Sequence, residues 1–351
     1  MEQWEFLNTL NYPAFIVKEE MIVQANIPAL QHNIEINVPI ANYICTGMEE
    51  YKNFTSGKLC LGLQINGVTC NACISCMADY QLVCMDSEYA TPEFRAFSLA
   101  AQYLRGPLSG AMCSAELLQD ELDENDAAKE KLARVNQNLY KLLRTVNNMS
   151  DISLYQAQKL QHQELCDITA IVQEVFEKTA DLAAKANKTL EYKLPANHIC
   201  SLADRERLER GILNMLSNAL KYSPDGSSVH AELKSIGKRF YITVENVMIH
   251  SIEDNPFARY LREPGIESSV NGIGLGMAIV QAVAVSHGGT VLMEQTPENT
   301  VKITLAITTQ ESNALRLRSP VLYPTDYAGG IDNTLLELCD ILPADLFAES
   351  K

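Results

Sequence analysis

Asn214, Asn218 and Lys221 stand four and three residues apart in the run RLERGILNMLSNALKYSPDGS, positions 207–227. On a helix those steps place all three on one narrow face, with Leu208, Ile212, Leu216 and Ala219 on the opposite, buried one. The amide oxygen of Asn218 is a hard ligand suited to Mg²⁺, and the Lys221 ammonium can neutralise phosphate charge. An Asn–Lys face alone is more often plain solvated surface. A second run, NGIGLGMAIVQAVAVSHGG at 271–289, supplies what the first lacks. Gly272, Gly274 and Gly276 allow close backbone approach, and the helix that follows points its positive end at whatever sits there. A third candidate is Cys70, Cys73 and Cys76, with the C-x-x-C-x-x-C spacing of an iron–sulfur ligand set. The residues around them alternate small apolar with polar, as hairpin strands do. A strand puts Cys70 and Cys76 on one face and Cys73 on the other. Three thiols then cannot converge, and the expectation is small buried cysteines.

Positioning these groups takes several elements. Residues 1–88 read as a small α+β domain. A strand pair turns at Lys18-Glu19-Glu20, and 58–64, 67–77 and 81–85 form an antiparallel meander that turns at Asn66-Gly67. From Thr91, a helix cap followed by Pro92, apolar residues recur at Phe94, Phe97, Ala101, Leu104, Leu108, Ala111, Ala115, Leu118 and Leu122. The steps of three and four make a heptad seam. Residues 123–126 break it, and a second seam runs through Leu132, Val135, Leu139, Leu142, Val146 and Met149. Two such helices bury little alone, so the hairpin at 89–165 predicts dimerisation into a four-helix bundle. Residues 166–309 read as an α/β sandwich with helices near 167–185, 204–222 and 275–286. Strands are expected near 189–194, 198–202, 228–235, 239–245, 290–295 and 300–307. Residues 310–351 read as an irregular tail in which LLELCDILPADLF can dock as a short amphipathic helix.

The totals agree with a multidomain protein: 351 residues, 47% of them hydrophobic. Forty-four acidic against 28 basic residues give a net charge of −16, which argues against nucleic acid or an anionic membrane face as the partner. No run approaches the roughly 18–20 apolar residues that span a bilayer. The start, with Glu2, Trp4 and Glu5, is unlike a signal peptide, so the expected location is the cytoplasm, with the cysteines reduced.

The first two runs, in this order, resemble the N-box and G2-box of the histidine-kinase-type ATPases, a Bergerat-type α/β sandwich shared with DNA gyrase and a class of heat-shock chaperones. Residues 1–88 resemble, more loosely, a PAS sensor domain, and the hairpin stands where sensor histidine kinases keep their dimerisation and phosphotransfer domain. The resemblance implies ATP and Mg²⁺ as ligands. Asn218 would hold the metal and Asn214 would support it, Lys221 and Tyr222 would contact the nucleotide, and Gly272, Gly274 and Gly276 would shape the phosphate lid. NPFARYLRE resembles the F-box, with Phe257 as its aromatic.

Two motifs depart from the family. Its H-box reads close to S-H-E-L-R-T-P-L; this chain has Ala101-Gln-Tyr-Leu-Arg-Gly-Pro-Leu108. Gln102 therefore stands at the phosphoacceptor position, and a carboxamide lacks the nucleophilic lone pair of neutral imidazole. Tyr103 replaces the acidic general base, and Gly106 the polar residue that orients water. In the G1-box, Asn246 stands where an aspartate would accept from adenine, and both glycines are missing. Of the histidines, His32, His162, His198, His230, His250 and His287, only His162 lies near the end of the hairpin. The sequence thus predicts a kinase-like protein that binds ATP without phosphorylating itself and passes its signal to a response regulator or an intact kinase. It leaves open a kinase acting on a histidine in a partner chain, and a dimeric scaffold that needs no nucleotide.

Overall fold

The computed structural model describes residues 4–10, 12–85, 92–121, 126–155, 163–248, 275–296, 298–310 and 331–348. The first unit is built from β1 (Ala14–Lys18), β2 (Met21–Ala25), the short helices α1 (Ile27–Gln31) and α2 (Met48–Asn53), then β3 (Lys58–Ile65), β4 (Val68–Cys76) and β5 (Gln81–Met85). The strands lie side by side in the order β2-β1-β5-β4-β3. Asn66 and Gly67 both take positive φ, as a two-residue hairpin turn requires. Cys70 faces the core of this unit with Leu61, Leu63 and Ile74, whereas Cys73 faces the opposite side, so the strand alternation separates the cysteines as expected.

The hairpin consists of α3 (Pro92–Glu121) and α4 (Asp126–Tyr155). Its seam divides. Ala101, Leu108, Met112 and Ala115 of α3 are buried with Leu143 and Val146 of α4, while Leu104, Leu118, Val135 and Leu142 lie exposed on the outside. A three–four apolar stripe is wide enough to face both its partner helix and a second surface.

The last unit contains β6 (Glu164–Asp167), α5 (Ile168–Lys185), β7 (Thr189–Lys193), β8 (Cys200–Ala203), α6 (Arg205–Tyr222), β9 (Ser228–Ile236), β10 (Arg239–Val247), α7 (Gly276–Ser286), β11 (Thr290–Gln295) and β12 (Thr300–Thr308). The Asp167 and Asp204 side chains cap α5 and α6 by accepting from the N–H groups of Ala170 and Arg207. Strands β11-β12-β10-β9-β7 form the sheet, with β7 parallel to β9, and α5, α6 and α7 cover one face.

The sequence did not announce that the two sheets are one. β3 pairs antiparallel with β11, Cys60 opposite Val291 and Lys58 opposite Met293, which makes a ten-stranded sheet among the described residues. Two glycines permit the seam. At Gly47 (φ +83°) a Cβ would lie 2.2 Å from Thr290 Cγ2, and at Gly57 (φ +85°) 2.3 Å from Met293 O. An ion pair between Arg239 and Glu50 crosses beside it.

The segment expected to be irregular is ordered over its described part. α8 (Asn333–Leu338), capped by Asp332, and a 3₁₀ turn at Ala344–Phe347 dock against α4, α5 and α6. The amphipathic helix foreseen in LLELCDILPADLF is this element.

Candidate functional site

Helix α6 carries the Asn–Lys face. Leu208, Ile212, Leu216 and Ala219 are buried as their spacing requires, but so are Leu213, Met215 and Leu220, because helices cover α6 on both flanks. Asn214 is fully buried. Its Nδ2 donates to the Arg210 carbonyl at 2.9 Å, and its Oδ1 has no hydrogen-bond partner among the described residues. A buried acceptor without a partner costs about 1–3 kcal/mol, and a donor or cation placed beside it would remove that cost.

That oxygen faces the start of α7. A Cβ on Gly276 would lie 2.8 Å from Asn214 Oδ1 and 3.4 Å from Asn218 Nδ2. The bare backbone of Gly276 is thus what lets the two sequence runs meet, and the amino end of α7 opens onto both amides. A helix amino end favours an anion, and the carboxamide oxygen of Asn214 beside it suits a hard cation. The residues present therefore fit a magnesium-bound phosphate group. Gly272 and Gly274, Phe257, His162 and His250 lie outside the described residues.

The remaining site residues fall as follows. Lys221 and Tyr222 close α6, with Lys221 Nζ 5.9 Å from the Tyr222 ring centre and 3.1 Å from Asp340 Oδ2, in a salt bridge. Asn246 is buried on β10 opposite Val301, and its Nδ2 donates to the Val247 carbonyl at 3.2 Å. Met248 packs against the core of this unit, its N–H bonded to Asn299 O at 2.9 Å. Gln102 is exposed on α3, as is Tyr103; nearby, Arg105 donates to Asn147 Oδ1 at 3.2 Å.

Among the described residues no histidine lies on α3 or α4. His198 and His230 are exposed and sit beside Asp167 and Glu191. His287 is buried at the carboxyl end of α7. Its Nε2 accepts from Asp204 N–H at 3.1 Å, so its Nδ1 donates to the Val283 carbonyl at 2.8 Å. Burial holds its pKa below 6.5.

Sequence inspection missed a charged network beneath the site. Arg210, with a side chain 1% exposed, meets Glu337 at 2.6 Å, Asn148 at 2.7 Å and the Asp151 carboxylate. Glu337 is fully buried and also meets Arg144 at 2.8 Å; Arg144 in turn holds Asp340 at 2.9 Å. Burial pushes the Asp151 carboxyl up, with Arg210 pulling it back. The available signal was two acids within the apolar run L-L-E-L-C-D-I-L, since an acid at a core position needs a cation.

The comparisons fit this geometry. Residues 203–310 match the model described as histidine kinase-, DNA gyrase B-, and HSP90-like ATPase. Sensor histidine kinase TmoS of Ectopseudomonas mendocina is 28% identical over 212 residues, covering 57% of this chain and 21% of that protein. Sensor-like histidine kinase SenX3 of Mycolicibacterium smegmatis is 26% identical over 209 residues, covering 58% and 54%. Among solved structures, full-length ShkA in complex with AMPPNP aligns with a TM-score of 0.52 at 20% identity, over 63% of this chain and 47% of that one. The fold and site define a histidine-kinase-like ATPase domain of the two-component type. Residues 203–310 carry that ATPase domain, and over a little more than half its length the chain is similar to sensor histidine kinases. It spans about a fifth to about half the length of these two curated relatives. No helix among the described residues is long and apolar enough to cross a membrane.

Proposed function

We propose that this protein is a degenerate sensor kinase of the cytoplasm, which binds ATP with Mg²⁺ but does not phosphorylate itself. One observation carries the nucleotide half: Gly276 meets Asn214 and Asn218, with the Asn214 oxygen left bare. Asn218 would hold the cation, Asn214 would support it, and Lys221 and Tyr222 would reach the nucleotide beside Gly272, Gly274 and Gly276. Asn246 would accept from the base through a neutral carbonyl, a weaker bond than a carboxylate makes. The bound metal would neutralise phosphate charge. The other half rests on Gln102, which has no nucleophilic nitrogen for a phosphoryl group.

In this scheme residues 1–88 are a PAS-like sensor, supported by the strand order β2-β1-β5-β4-β3. Residues 89–165 dimerise, supported by the exposed stripe of Leu104, Leu118, Val135 and Leu142. Residues 166–309 are the ATPase domain, and 310–351 are the tail. The conformational output is read by a response regulator or an intact kinase. The test is titration of the whole chain with a fluorescent ATP analogue, with and without Mg²⁺, followed by incubation with γ-labelled ATP. Binding should depend on Mg²⁺ and weaken in Asn218→Asp, and no label should remain on the chain. Binding indifferent to both changes removes the metal assignment. Label transferred to a partner's helical hairpin identifies a kinase acting in trans.

A further inference from the structure

The groove between α4 and α6 is filled by the chain's own residues 331–348, and the filling is specific on three counts. The segment feeds two cores at once: Leu336 joins Leu108, Leu143 and Val146 of the hairpin, while Leu338, Cys339, Leu342 and Phe347 join the core of the ATPase unit. Its backbone is held by side chains from both walls. Gln137 of α4 donates to the carbonyls of Cys339 (3.1 Å) and Leu342 (2.7 Å), and Asn136 donates to that of Phe347 (2.9 Å). Ser217 of α6 donates to that of Glu337 (2.8 Å). Two of its four acids bridge cations on both walls: Glu337 meets Arg144 of α4 and Arg210 of α6, and Asp340 meets Arg144 and Lys221. Each carboxylate thus ties the hairpin to the helix that carries Asn214 and Asn218.

We propose that residues 331–348 are a built-in strap, which holds the ATPase domain against the hairpin and, through Asp340, keeps Lys221 from nucleotide phosphate. While the strap is seated the ATPase domain cannot swing on the hairpin, and Lys221 spends its charge on a carboxylate. When the strap leaves, both are released together. The Lys221 half rests on the nucleotide function proposed above; the docking half does not.

Two full-length variants test it. Asp340→Asn removes the partner of Lys221 at a partly exposed position and should bind the fluorescent ATP analogue about tenfold more tightly, the gain of roughly one charge-assisted contact. Glu337→Gln keeps the side chain's shape and removes the bridging charge. Spin labels attached by non-cysteine chemistry at exposed Leu117 and Ile236 should report one narrow distance in the unmodified chain and a broad distribution in both variants. Equal affinity in Asp340→Asn overturns the masking of Lys221, and an unchanged narrow distance in both variants overturns the strap. If neither the unmodified chain nor Asp340→Asn takes up the analogue, the nucleotide function is what fails, and the distance measurement decides the strap alone.

Discussion

Arg210→Met is the sharpest probe of the charge network, because the structure fixes what each partner loses. The guanidinium is 1% exposed and serves Glu337, Asp151 and Asn148. Removing one member of a buried ion pair costs about 3–5 kcal/mol. Glu337 keeps Arg144 at 2.8 Å, which puts the expected loss at the lower end, about 3 kcal/mol. Asp151 is the stranded group. Burial already raises its carboxyl pKa and Arg210 is the first force lowering it, so in the variant the folded chain takes up a proton there. A carboxyl whose folded pKa is raised loses stability as pH rises through that value. The gap between variant and parent should therefore widen from mildly acidic to neutral pH. Urea unfolding at two pH values measures this, and adding Asp151→Leu to the variant should recover much of the loss. A cost below about 1 kcal/mol, or a double variant as unstable as the single, would refute the network as drawn.

Leu142→Asp alters an exposed stripe residue, so it should leave the single chain folded and convert the proposed dimer to monomer by light scattering at micromolar concentration. Leu108→Asp alters a residue buried within one chain, and an unpaired buried charge there should cost several kcal/mol of stability as measured by urea unfolding. His287 gives a pH signature of its own. Burial lowers its pKa, Asp204 opposes that and Arg207 adds to it, so below about pH 6.5 the unfolded chain binds a proton the folded chain refuses. Stability should fall with pH in that window, by up to about 1.4 kcal/mol per unit from this group; His287→Gln should flatten the slope in urea unfolding midpoints.

What the sequence showed and what it hid follow from the range of the interactions. The α6 face was legible because helical spacing is local, and the Asn66-Gly67 turn because its φ values admit few residues. The cysteine run was separable because strand alternation is local too. The meeting of Gly276 with Asn214 joins residues 62 positions apart (276 − 214), and only the family resemblance connected them. The β3–β11 seam was invisible: its permissive residues, Gly47 and Gly57, look like ordinary loop glycines until Thr290 and Met293 stand opposite. The hairpin seam read as one stripe and proved to be two, since heptad spacing says that a face is apolar but not which neighbour covers it. The role of Glu337 was hidden, because its cations lie 127 and 193 residues away.

The ATPase domain is thus held at two joints of unlike chemistry. The β3–β11 joint is a backbone ladder over an apolar core. The ion pair of Arg239 and Glu50 lies at its edge. The joint at residues 331–348 places Glu337, Asp340 and Asp151 against Arg144, Arg210 and Lys221. Buried ion pairs of this kind add little net stability over apolar packing but lose much when one partner goes. A joint that needed only strength would have used leucine. One built from bridging carboxylates is tight when complete and weak when a single charge is lost. That asymmetry makes the strap the adjustable joint and the sheet the fixed one, and it predicts that movement of α6 relative to the hairpin begins with the loss of Glu337 or Asp340 contacts while β3 and β11 stay paired. Hydrogen exchange places the two in order: amides of β11 that open as early as those of α8 would contradict it.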